Sequence, residues 1–367
     1  MTQIQVAIAL FVIFVASLES AQAQFTERRE FYKGLRYLAM GGATVAVAND
    51  ETALLANPAG LGRLRDVYGT LFDPEIELNS RGIQAYNSKA YDDPFSLRQA
   101  VQTMATQPGR LYSSRGQIMP SFVAKNFGIA VLKKTELQAR ATSASAVDLF
   151  YRDDMALLLG YNLRLFEGRI KIGVTGKLVS RVEIDTVALD PAAQPLTLDS
   201  LATPGITRAG TGFGFDTGVL FAAPWKWLPT IGAVYRDVGG MSFSQDSLKR
   251  VENANDPSKV EGDIDVGMAL FPIHTNNTRS SFVLEYRGLL TQDDEDDKAK
   301  LIHAGYELNF SDVFFMRAGY HQRYWTGGLE LASETLQFQL TSYGEEIGTR
   351  TNPKEDRRWA LKIAFRF

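Results

Sequence analysis

The last eleven residues of the chain, RRWALKIAFRF, alternate between bulky apolar side chains and small or charged ones. Successive side chains of a β-strand point to opposite faces, so a period of two predicts a strand with one apolar face. The same alternation recurs at 170–175, 263–270, 282–287 and 336–341. Because soluble β-sandwiches alternate in the same way, the pattern predicts an all-β chain but leaves open whether its apolar faces meet a protein core or a membrane.

The spacing of the turns indicates a membrane protein. Fourteen strands are predicted, at 67–80, 115–125, 127–140, 147–164, 168–184, 208–223, 228–242, 259–272, 278–290, 298–309, 312–321, 324–332, 334–344 and 357–367. Every second connection is short, as at Asn126 and Ser333, while the others are mostly long and polar, as at 81–114 and 185–207. Short turns at one rim and long loops at the other are typical of bacterial outer-membrane barrels, whose short turns face the periplasm. We therefore predict a 14-stranded antiparallel transmembrane β-barrel.

The first 23 residues are predicted to be a signal peptide. An apolar run of eleven residues at 6–16 is too short to span a bilayer as a helix. It is followed by Ala21-Gln22-Ala23, the small-x-small pattern that precedes a signal-peptidase cleavage site. Residues 1–5 contain no lysine or arginine, which departs from the usual positive start of such a segment. We expect the mature chain to begin at Gln24 and to reside in the bacterial outer membrane.

Composition excludes several classes of function. The chain has no cysteine, which excludes disulfide scaffolds and cysteine-ligated clusters, and it has only three histidines. A formal net charge of −3 gives no basis for nucleic-acid binding. No compact arrangement of serine, histidine and an acid indicates a hydrolase. We therefore expect no cofactor, no metal site, no nucleic-acid partner and no enzymatic activity.

Two features bear on partners at the membrane. Five consecutive acids at 293–297 lie in a predicted outer loop, where they could hold a divalent cation that bridges to lipopolysaccharide phosphates. They lack the spacing and the glycine of an EF-hand loop, so a solvated loop tip is the favoured interpretation. The C-terminal Phe367 ends an alternating strand and is expected to be recognised by the barrel-assembly machinery. Outer-membrane lipid and lipopolysaccharide are the expected surroundings of the barrel.

The segment before the first predicted strand, 24–66, is rich in glycine and alanine. Asp50 or Glu51 begins a short predicted helix, and Asn57-Pro58 ends it, because proline disfavours a helical conformation of the preceding residue. The segment is long enough to fold into the barrel and occlude it. We therefore divide the chain into a signal peptide at 1–23, a hatch at 24–66 and a barrel at 67–367.

The stretch from Gly41 to Leu61, GGATVAVANDETALLANPAGL, resembles the N-terminal region of the long-chain fatty-acid transporter (FadL) superfamily. That superfamily includes hydrocarbon-uptake barrels and a smaller PorV/PorQ-like branch. The resemblance implies a fourteen-stranded barrel whose N-terminal segment is a hatch inside the lumen. It assigns the hatch motif to Gly41, Gly42, Asn49, Asp50, Asn57, Pro58, Ala59 and Gly60. In the transporters a kink in the third strand opens the barrel wall, whereas the predicted third strand here, 127–140, has no proline, which favours the smaller branch.

The resemblance leaves two functions open. The first is the uptake or passage of hydrophobic small molecules, fatty-acid-like or hydrocarbon-like, through rearrangement of the hatch. The second is a PorV-like interaction or secretion-accessory barrel that receives a secreted protein partner. An apolar lumen behind the hatch favours the first function, and a polar or fully blocked lumen favours the second.

The first long loop contains a short predicted helix at 95–106, N-capped near Asp93. Its apolar residues are Phe95, Leu97, Val101 and Met104. These side chains either line an apolar ligand groove or cover the barrel mouth, and the sequence favours neither interpretation over the other.

Overall fold

The structure is a computed structural model that describes residues 27, 29–87, 93–192, 206–244, 250–251, 254–291 and 297–367. The predicted signal peptide and most of the acidic run at 293–297 lie outside the described residues. In the part of the chain that is described, no helix has the length and apolar character needed to cross a membrane.

Fourteen antiparallel wall strands form one sheet that closes on itself as a barrel. Four of the strands are interrupted and are given as two ranges each. The strands are β1 (Tyr68–Phe72 and Glu75–Asn79), β2 (Leu111–Ile118 and Ser121–Ala124), β3 (Phe127–Ser143), β4 (Ala146–Leu165), β5 (Ile170–Leu189), β6 (Thr207–Ala222), β7 (Thr230–Arg236 and Phe243–Ser244), β8 (Asp263–Leu270 and Ile273–Thr275), β9 (Thr278–Tyr286), β10 (Ile302–Phe310), β11 (Phe314–His321), β12 (Tyr324–Ala332), β13 (Leu336–Glu346) and β14 (Glu355–Arg366). The predicted number of strands and their antiparallel order are confirmed.

The barrel closes where β14 pairs with β1. Trp359 lies opposite Leu78 near one end of this pairing, and Arg366 lies opposite Thr70 near the other. The terminal Phe367 completes the closure, because its N–H donates to the carbonyl of Gly69 at 3.0 Å and its own carbonyl accepts from the Gly69 N–H at 3.1 Å. The aromatic residue that was expected to guide assembly is therefore also the last residue to pair across the closing strands.

Along most wall strands, large apolar side chains point outward and polar ones point inward, whereas part of β4 is apolar on both faces. In β14, Trp359 and Phe365 are 44% and 50% exposed, while the intervening Lys362 is buried in the lumen. This exterior is apolar and this interior is polar, which is the reverse of a soluble barrel and the arrangement of a membrane-spanning one. The apolar faces that the sequence alternation predicted therefore lie on the outside of the barrel, as in a membrane protein, and do not form a protein core.

Short helices lie in the hatch and in the loops. They are the α-helices α1 (Leu35–Ala39), α2 (Ala53–Ala56), α3 (Ser80–Asn87) and α4 (Leu97–Ala105), and the 3₁₀-helices Pro58–Arg63, Phe166–Gly168 and Lys298–Leu301. The last of these corrects the predicted start of the tenth strand at 298, because β10 begins only at Ile302. The helix α3 was not predicted.

The helix α4 corresponds to the one predicted at 95–106, but its cap differs from the prediction. Ser96 is the N-cap, and its hydroxyl accepts from the N–H of Gln99. Asp93 instead accepts from the N–H of Phe95 in the turn that leads into the helix. The cap predicted near Asp93 lies three residues further along, at Ser96, because an aspartate that closes a turn has the same local sequence signal as a helix cap.

The apolar face of α4 is packed against the inside of the barrel wall. Leu97, Val101 and Met104 are all buried, and the ring of Phe95 lies over Gly116 of β2. The three buried side chains share a cluster with Tyr112, Leu137, Ala139, Ala141, Val147, Leu149, Tyr151 and Ile184. In this conformation the helix covers the wall near the long-loop end, and its apolar face is occupied by wall side chains.

The wall has a local interruption, which we call the seam, at Asp73-Pro74 in β1 and Met119-Pro120 in β2. Both prolines lie between the two ranges of their strands, because proline has no N–H to donate to a ladder. Oδ1 of Asp73 accepts from the N–H of Met119 at 2.6 Å and bridges the gap. The third strand is continuous over Phe127–Ser143, so the seam is confined to the first two strands, and the interruptions of β7 and β8 are separate from it.

Candidate functional site: the hatch in the lumen

Residues 29–64 run through the lumen as the hatch and are mostly buried there. The chain turns at Gly41 and Gly42, whose φ angles are +71° and +85°. Only glycine adopts such angles without a steric penalty. A side chain is excluded for a second reason, since a Cβ on Gly41 would lie 2.2 Å from the carbonyl oxygen of Ala304. These two glycines are required by the path of the hatch.

On one side, which we call the anchored side, hatch residues 39–45 meet strands β9–β12 backbone to backbone. Gly305 of β10 and Gly319 of β11 lie directly opposite each other, and together they leave room for the hatch turn. A Cβ on Gly305 would lie 2.3 Å from the Met40 carbonyl oxygen, and one on Gly319 would lie 2.2 Å from the Gly41 nitrogen. The wall is thus shaped to accept this turn at one position.

Hydrogen bonds from wall side chains hold the backbone of the anchored side. Nδ1 of His303 and Nδ1 of His321 lie 2.7 and 3.1 Å from the carbonyl oxygen of Gly41. One carboxylate oxygen of Glu285 accepts from the N–H groups of residues 44 and 45, at 2.6 and 2.7 Å. Arg287 donates to the carbonyl of Gly42. Buried backbone groups need partners, and here the wall supplies them.

Asn57 lies at the centre of the hatch and is completely buried. Its Oδ1 caps the following 3₁₀-helix by accepting from the N–H of Ala59 at 3.0 Å, and its Nδ2 donates to the carbonyl of Val45 at 2.9 Å. The amide therefore ties two passes of the hatch together. Gly218 of β6 makes room for it, because a Cβ there would lie 2.0 Å from the Oδ1 atom.

The remaining residues of the predicted motif are also in the hatch. Asn49 and Asp50 both accept from the guanidinium of Arg36, at 2.6 and 2.7 Å. Burial alone would raise the pKa of Asp50, but Arg36 and Thr52 outweigh it and hold the pKa at about 2. Gly60 is required by close packing, since a Cβ there would lie 2.7 Å from a hatch carbonyl oxygen.

The start of the hatch is held by buried ion pairs that the sequence pattern did not indicate. Nζ of Lys33 lies 2.7 Å from Glu27 and 3.0 Å from Glu345 of β13, and Arg358 of β14 lies 2.7 Å from Glu27. Burial would raise the pKa of Glu27, but Arg358 and Lys33 hold it well below its ordinary value. The wall partners Glu345 and Arg358 are more than 300 positions from the hatch residues they bind, so no local spacing reveals them.

On the opposite side, which we call the apolar side, the hatch packs through leucine side chains. A Cβ on Gly160 of β4 would lie 2.4 Å from Leu54 and 2.9 Å from Leu61, which shows how closely both methyl groups approach the wall. The wall beneath these leucines forms an apolar floor. The floor consists of Met119, Val123, Ala130, Leu132, Ala156 and Leu158.

A cavity of about 650 Å³ lies above the hatch, towards the long-loop end. Charged side chains of both signs line it, among them Lys177, Arg236, Asp216 and Asp265. Most of these charges are paired: Lys177 lies 2.7 Å from Asp216, and Arg236 lies 2.7 Å from Asp265. Within the described residues, no group of three or more histidine, cysteine or acidic side chains could hold a metal ion. The lumen is thus polar on the long-loop side of the hatch and apolar beneath Leu54.

No protein-family model matches the sequence, and no curated protein sequence is significantly similar to it. Solved structures are similar in fold. The CymD monoaromatic hydrocarbon channel has a TM-score of 0.54 at 11% identity, over 91% of this chain and 96% of that one. This chain shares its fold with the hydrocarbon channels. A TodX deltaS2S3 mutant monoaromatic hydrocarbon channel gives 0.56 at 12% identity, over 91% and 98% of the two chains.

The P. putida toluene transporter TodX has a TM-score of 0.50 at 12% identity, over 91% of this chain and 98% of that one. The fold implied by the sequence resemblance, a fourteen-stranded barrel with a hatch in the lumen, is therefore confirmed. In this chain, the hatch inside the barrel is held by hydrogen bonds on its anchored side and packs through leucine side chains on its apolar side.

Proposed function

We propose that this chain is a bacterial outer-membrane barrel that passes hydrophobic small molecules, fatty-acid-like or hydrocarbon-like, when the hatch leaves its apolar side. The observation that carries the proposal is the apolar floor beneath Leu54 and Leu61. A hydrophobic molecule can replace a leucine side chain on such a floor, because apolar contacts are not directional. The shared fold supports the proposal, since the similar structures are described as monoaromatic hydrocarbon channels and a toluene transporter.

The seam supplies a route from the floor towards the membrane. Met119 belongs to both features, because it lies at the break in β2 and packs in the same apolar cluster as Leu54. Across the break, Asp73 holds the N–H of Met119 and pairs with Lys362 at 3.1 Å. Separating Asp73 from Met119 would widen a place where the wall ladder is already interrupted. The proposed path therefore runs from the cavity, past the hatch, over the floor and out at the seam.

The second candidate function, a barrel that receives a secreted protein partner, is favoured by a different observation. The cavity at the long-loop end carries charges of both signs, including Glu261 and Lys300 near the loops. Such a lining suits the polar groups of a protein segment better than a hydrocarbon. This function needs no movement of the hatch, and it predicts that hydrophobic probes cross at the background rate.

Uptake of hydrophobic probes tests the proposal. Initial uptake of radiolabelled toluene and decanoate would be measured in intact Gram-negative cells, with and without expression of the chain. Ala156→Asn places an amide on the apolar floor, where an unpaired polar group costs about 1–3 kcal/mol, so uptake should fall by about tenfold. Ala360→Asn makes the same change on the lumen face of β14, opposite the Glu77 that pairs with Arg115, and should leave uptake unchanged.

Assembly of both variants would be checked by heat-dependent mobility on SDS gels. If the wild-type chain raises the uptake of neither probe, the passage of hydrophobic molecules is rejected and the second function is favoured. If Ala156→Asn and Ala360→Asn reduce uptake equally, the apolar floor is not the path.

A further inference from the structure

At the short-turn end of the lumen, three basic side chains lie together, and none of them has an acidic partner among the residues that the structure describes. Arg164 of β4 and Lys171 of β5 are directly opposite each other in the ladder, beside the turn Phe166–Gly168. Arg63 of the hatch is close enough to act on Lys171 electrostatically, as is Arg164. We call Arg63, Arg164 and Lys171 the basic cluster. Like charges directly opposite each other on neighbouring strands are destabilising, so their placement requires an explanation.

The other buried lysines of the lumen show what is unusual about Lys171. Five lysines are buried in the described residues, and four of them have a carboxylate within 3.5 Å. These pairs are Lys33 with Glu27, Lys134 with Glu136, Lys177 with Asp216, and Lys362 with Asp73. Lys171 is only 8% exposed, yet in the described part of the chain it donates only to a backbone carbonyl, that of Gly168. A buried ammonium group without a counter-charge is unfavourable.

The two arginines also lack an acidic partner among the described residues. Arg63 donates to the carbonyl of Ala46 at 2.7 Å and lies over an aromatic ring. Burial and the neighbouring Arg36 lower the pKa of Arg63 to about 10. Nε of Arg164 is buried and finds no acceptor in the described residues. Glu167, the acid within the turn, is exposed and forms no ion pair with any of the three in the described residues.

The cluster is held in place by the chain around it. A Cβ on Gly168 would lie 2.5 Å from a terminal nitrogen of Arg164, so the guanidinium lies over the turn. A Cβ on Gly62 would lie 3.0 Å from the Cδ of Lys171, so the hatch passes directly beside the lysine. The carbonyl of Leu61 accepts from the N–H of Asn126, in the turn between β2 and β3, which fixes this part of the hatch at the short-turn end.

We propose that the basic cluster is a binding site for an oxyanion group, a carboxylate or a phosphate. Three cations, one of them with a free buried N–H, provide the charge and the donors that such a group requires. The site is independent of the passage of hydrophobic molecules, because free phosphate would bind to it even in a barrel that passes none. If hydrophobic acids do pass, the cluster lies where their carboxylate would leave the lumen.

Calorimetric titration of the full mature chain in a nonionic detergent tests the site. The probes are inorganic phosphate, acetate, hexanoate and, as a neutral control, hexanol. Phosphate or a carboxylate should bind, and Lys171→Gln should weaken that binding by about tenfold or more, as expected for the loss of a charge-assisted hydrogen bond. Lys125→Gln removes an exposed lysine from a turn at the same end and should bind as the wild type does.

The arms of the titration distinguish the source of the anion. Hexanoate binding more tightly than acetate identifies the head group of an amphipathic ligand, whereas phosphate and acetate binding as tightly as hexanoate identifies a free oxyanion. Absence of binding by all three anions, or equal binding by wild type and Lys171→Gln, would overturn the proposal.

A charge reversal at Lys171 gives a second test, the shift in unfolding temperature on addition of phosphate, whose result differs from that of simple loss of folding. Lys171→Glu places a carboxylate opposite Arg164 and so supplies the missing counter-charge within the chain. The wild type should unfold at a higher temperature when phosphate is added, because ligand binding stabilises the folded state. The Lys171→Glu variant should be assembled and should show no such shift. A shift of equal size in both proteins would contradict an anion site at Lys171.

Discussion

The two sides of the hatch contact the barrel wall through different kinds of interaction. On the anchored side, the backbone of residues 39–45 is held by directional hydrogen bonds from wall side chains such as Glu285 and His303. On the apolar side, Leu54 and Leu61 rest on small and aliphatic wall residues. A hydrophobic ligand can substitute for a leucine side chain, but it cannot replace a set of backbone hydrogen bonds. Near the leucines the wall also holds three hatch carbonyls, those of Leu55 and Ala56 through Arg236 and that of Leu61 through the N–H of Asn126. We therefore expect any movement of the hatch to be confined to the chain around Leu54, while the anchored side stays in place.

The largest effect is expected from breaking the anchored side with Gly319→Ala. The new Cβ would lie 2.2 Å from the backbone nitrogen of Gly41. Rotation of a side chain cannot relieve this clash, because it involves the backbone of the hatch. Overpacking of this kind costs about 1–3 kcal/mol or more, so the turn should detach and the hatch should become sensitive to protease. Gly327→Ala, on the outward face of β12, has 3.6 Å to its nearest neighbour and should behave as the wild type. Equal protease resistance of both variants would show that the anchored side is not held by this contact.

The next effect is expected from Asn57→Ala, which removes the tie between the two passes of the hatch. It leaves the buried N–H of Ala59 and the carbonyl of Val45 without their partner, which costs about 1–3 kcal/mol for each group. The barrel should assemble, and its conductance to small ions in planar bilayers should rise. Asn57→Asp keeps the acceptor for Ala59 but places a buried carboxylate against the carbonyl of Val45, so its conductance should rise at least as much. Wild-type conductance and protease sensitivity in Asn57→Ala would contradict a plugging role for the hatch.

A smaller and more selective effect is expected from Leu54→Ala on the apolar side. Removal of the buried side chain leaves a space above the floor, and toluene uptake should rise while ion conductance stays low. Leu38→Ala removes the same volume from a buried position next to the anchored segment and should not raise uptake. If the two variants raise toluene uptake equally, the two sides of the hatch do not differ in the way described.

The smallest effect is expected from Asp50→Asn within the hatch. Arg36 keeps Asn49 and Glu307 as partners, so the loss of one charge should reduce protease resistance only slightly. Mild acidification should not reduce protease resistance in the way that the substitution does. The pKa of Asp50 is lowered to about 2, so its contribution is complete above the ordinary value of 3.8 and is lost only as the pH falls towards 2. A large loss of resistance in Asp50→Asn at neutral pH would make this ion pair a principal support of the hatch.

Much of the wall could be predicted from the sequence because it depends on local periodicity. The alternation in 357–367 predicted which side chains face the membrane, and Trp359 and Phe365 are exposed there as expected. The interruptions within strands were harder to predict from the sequence than the faces of the strands. The strand predicted at 67–80 runs through Pro74, and a proline within an apparent strand is a signal for the break that the structure shows there.

The hatch motif was predicted from its resemblance to known barrels, but its two kinds of contact were not. The roles of Gly305 and Gly319 depend on where the turn at Gly41 meets them, more than 260 positions away along the chain. The apolar floor was hidden for a similar reason. Ala156 and Leu158 face inward in a strand whose apolar residues could equally have been assigned to the membrane side, since both faces are apolar there.

Cysteine labelling tests most directly whether the hatch opens at one side only. The chain has no cysteine of its own, so single substitutions report without background. Ala53→Cys, beside Leu54, and Ala39→Cys, on the anchored side, replace alanines that are both completely buried. With toluene added to the purified barrel, we expect the cysteine at position 53 to react with a maleimide and the cysteine at position 39 to stay protected. Reaction at position 39 with protection at position 53, or no change at either position, would contradict the account.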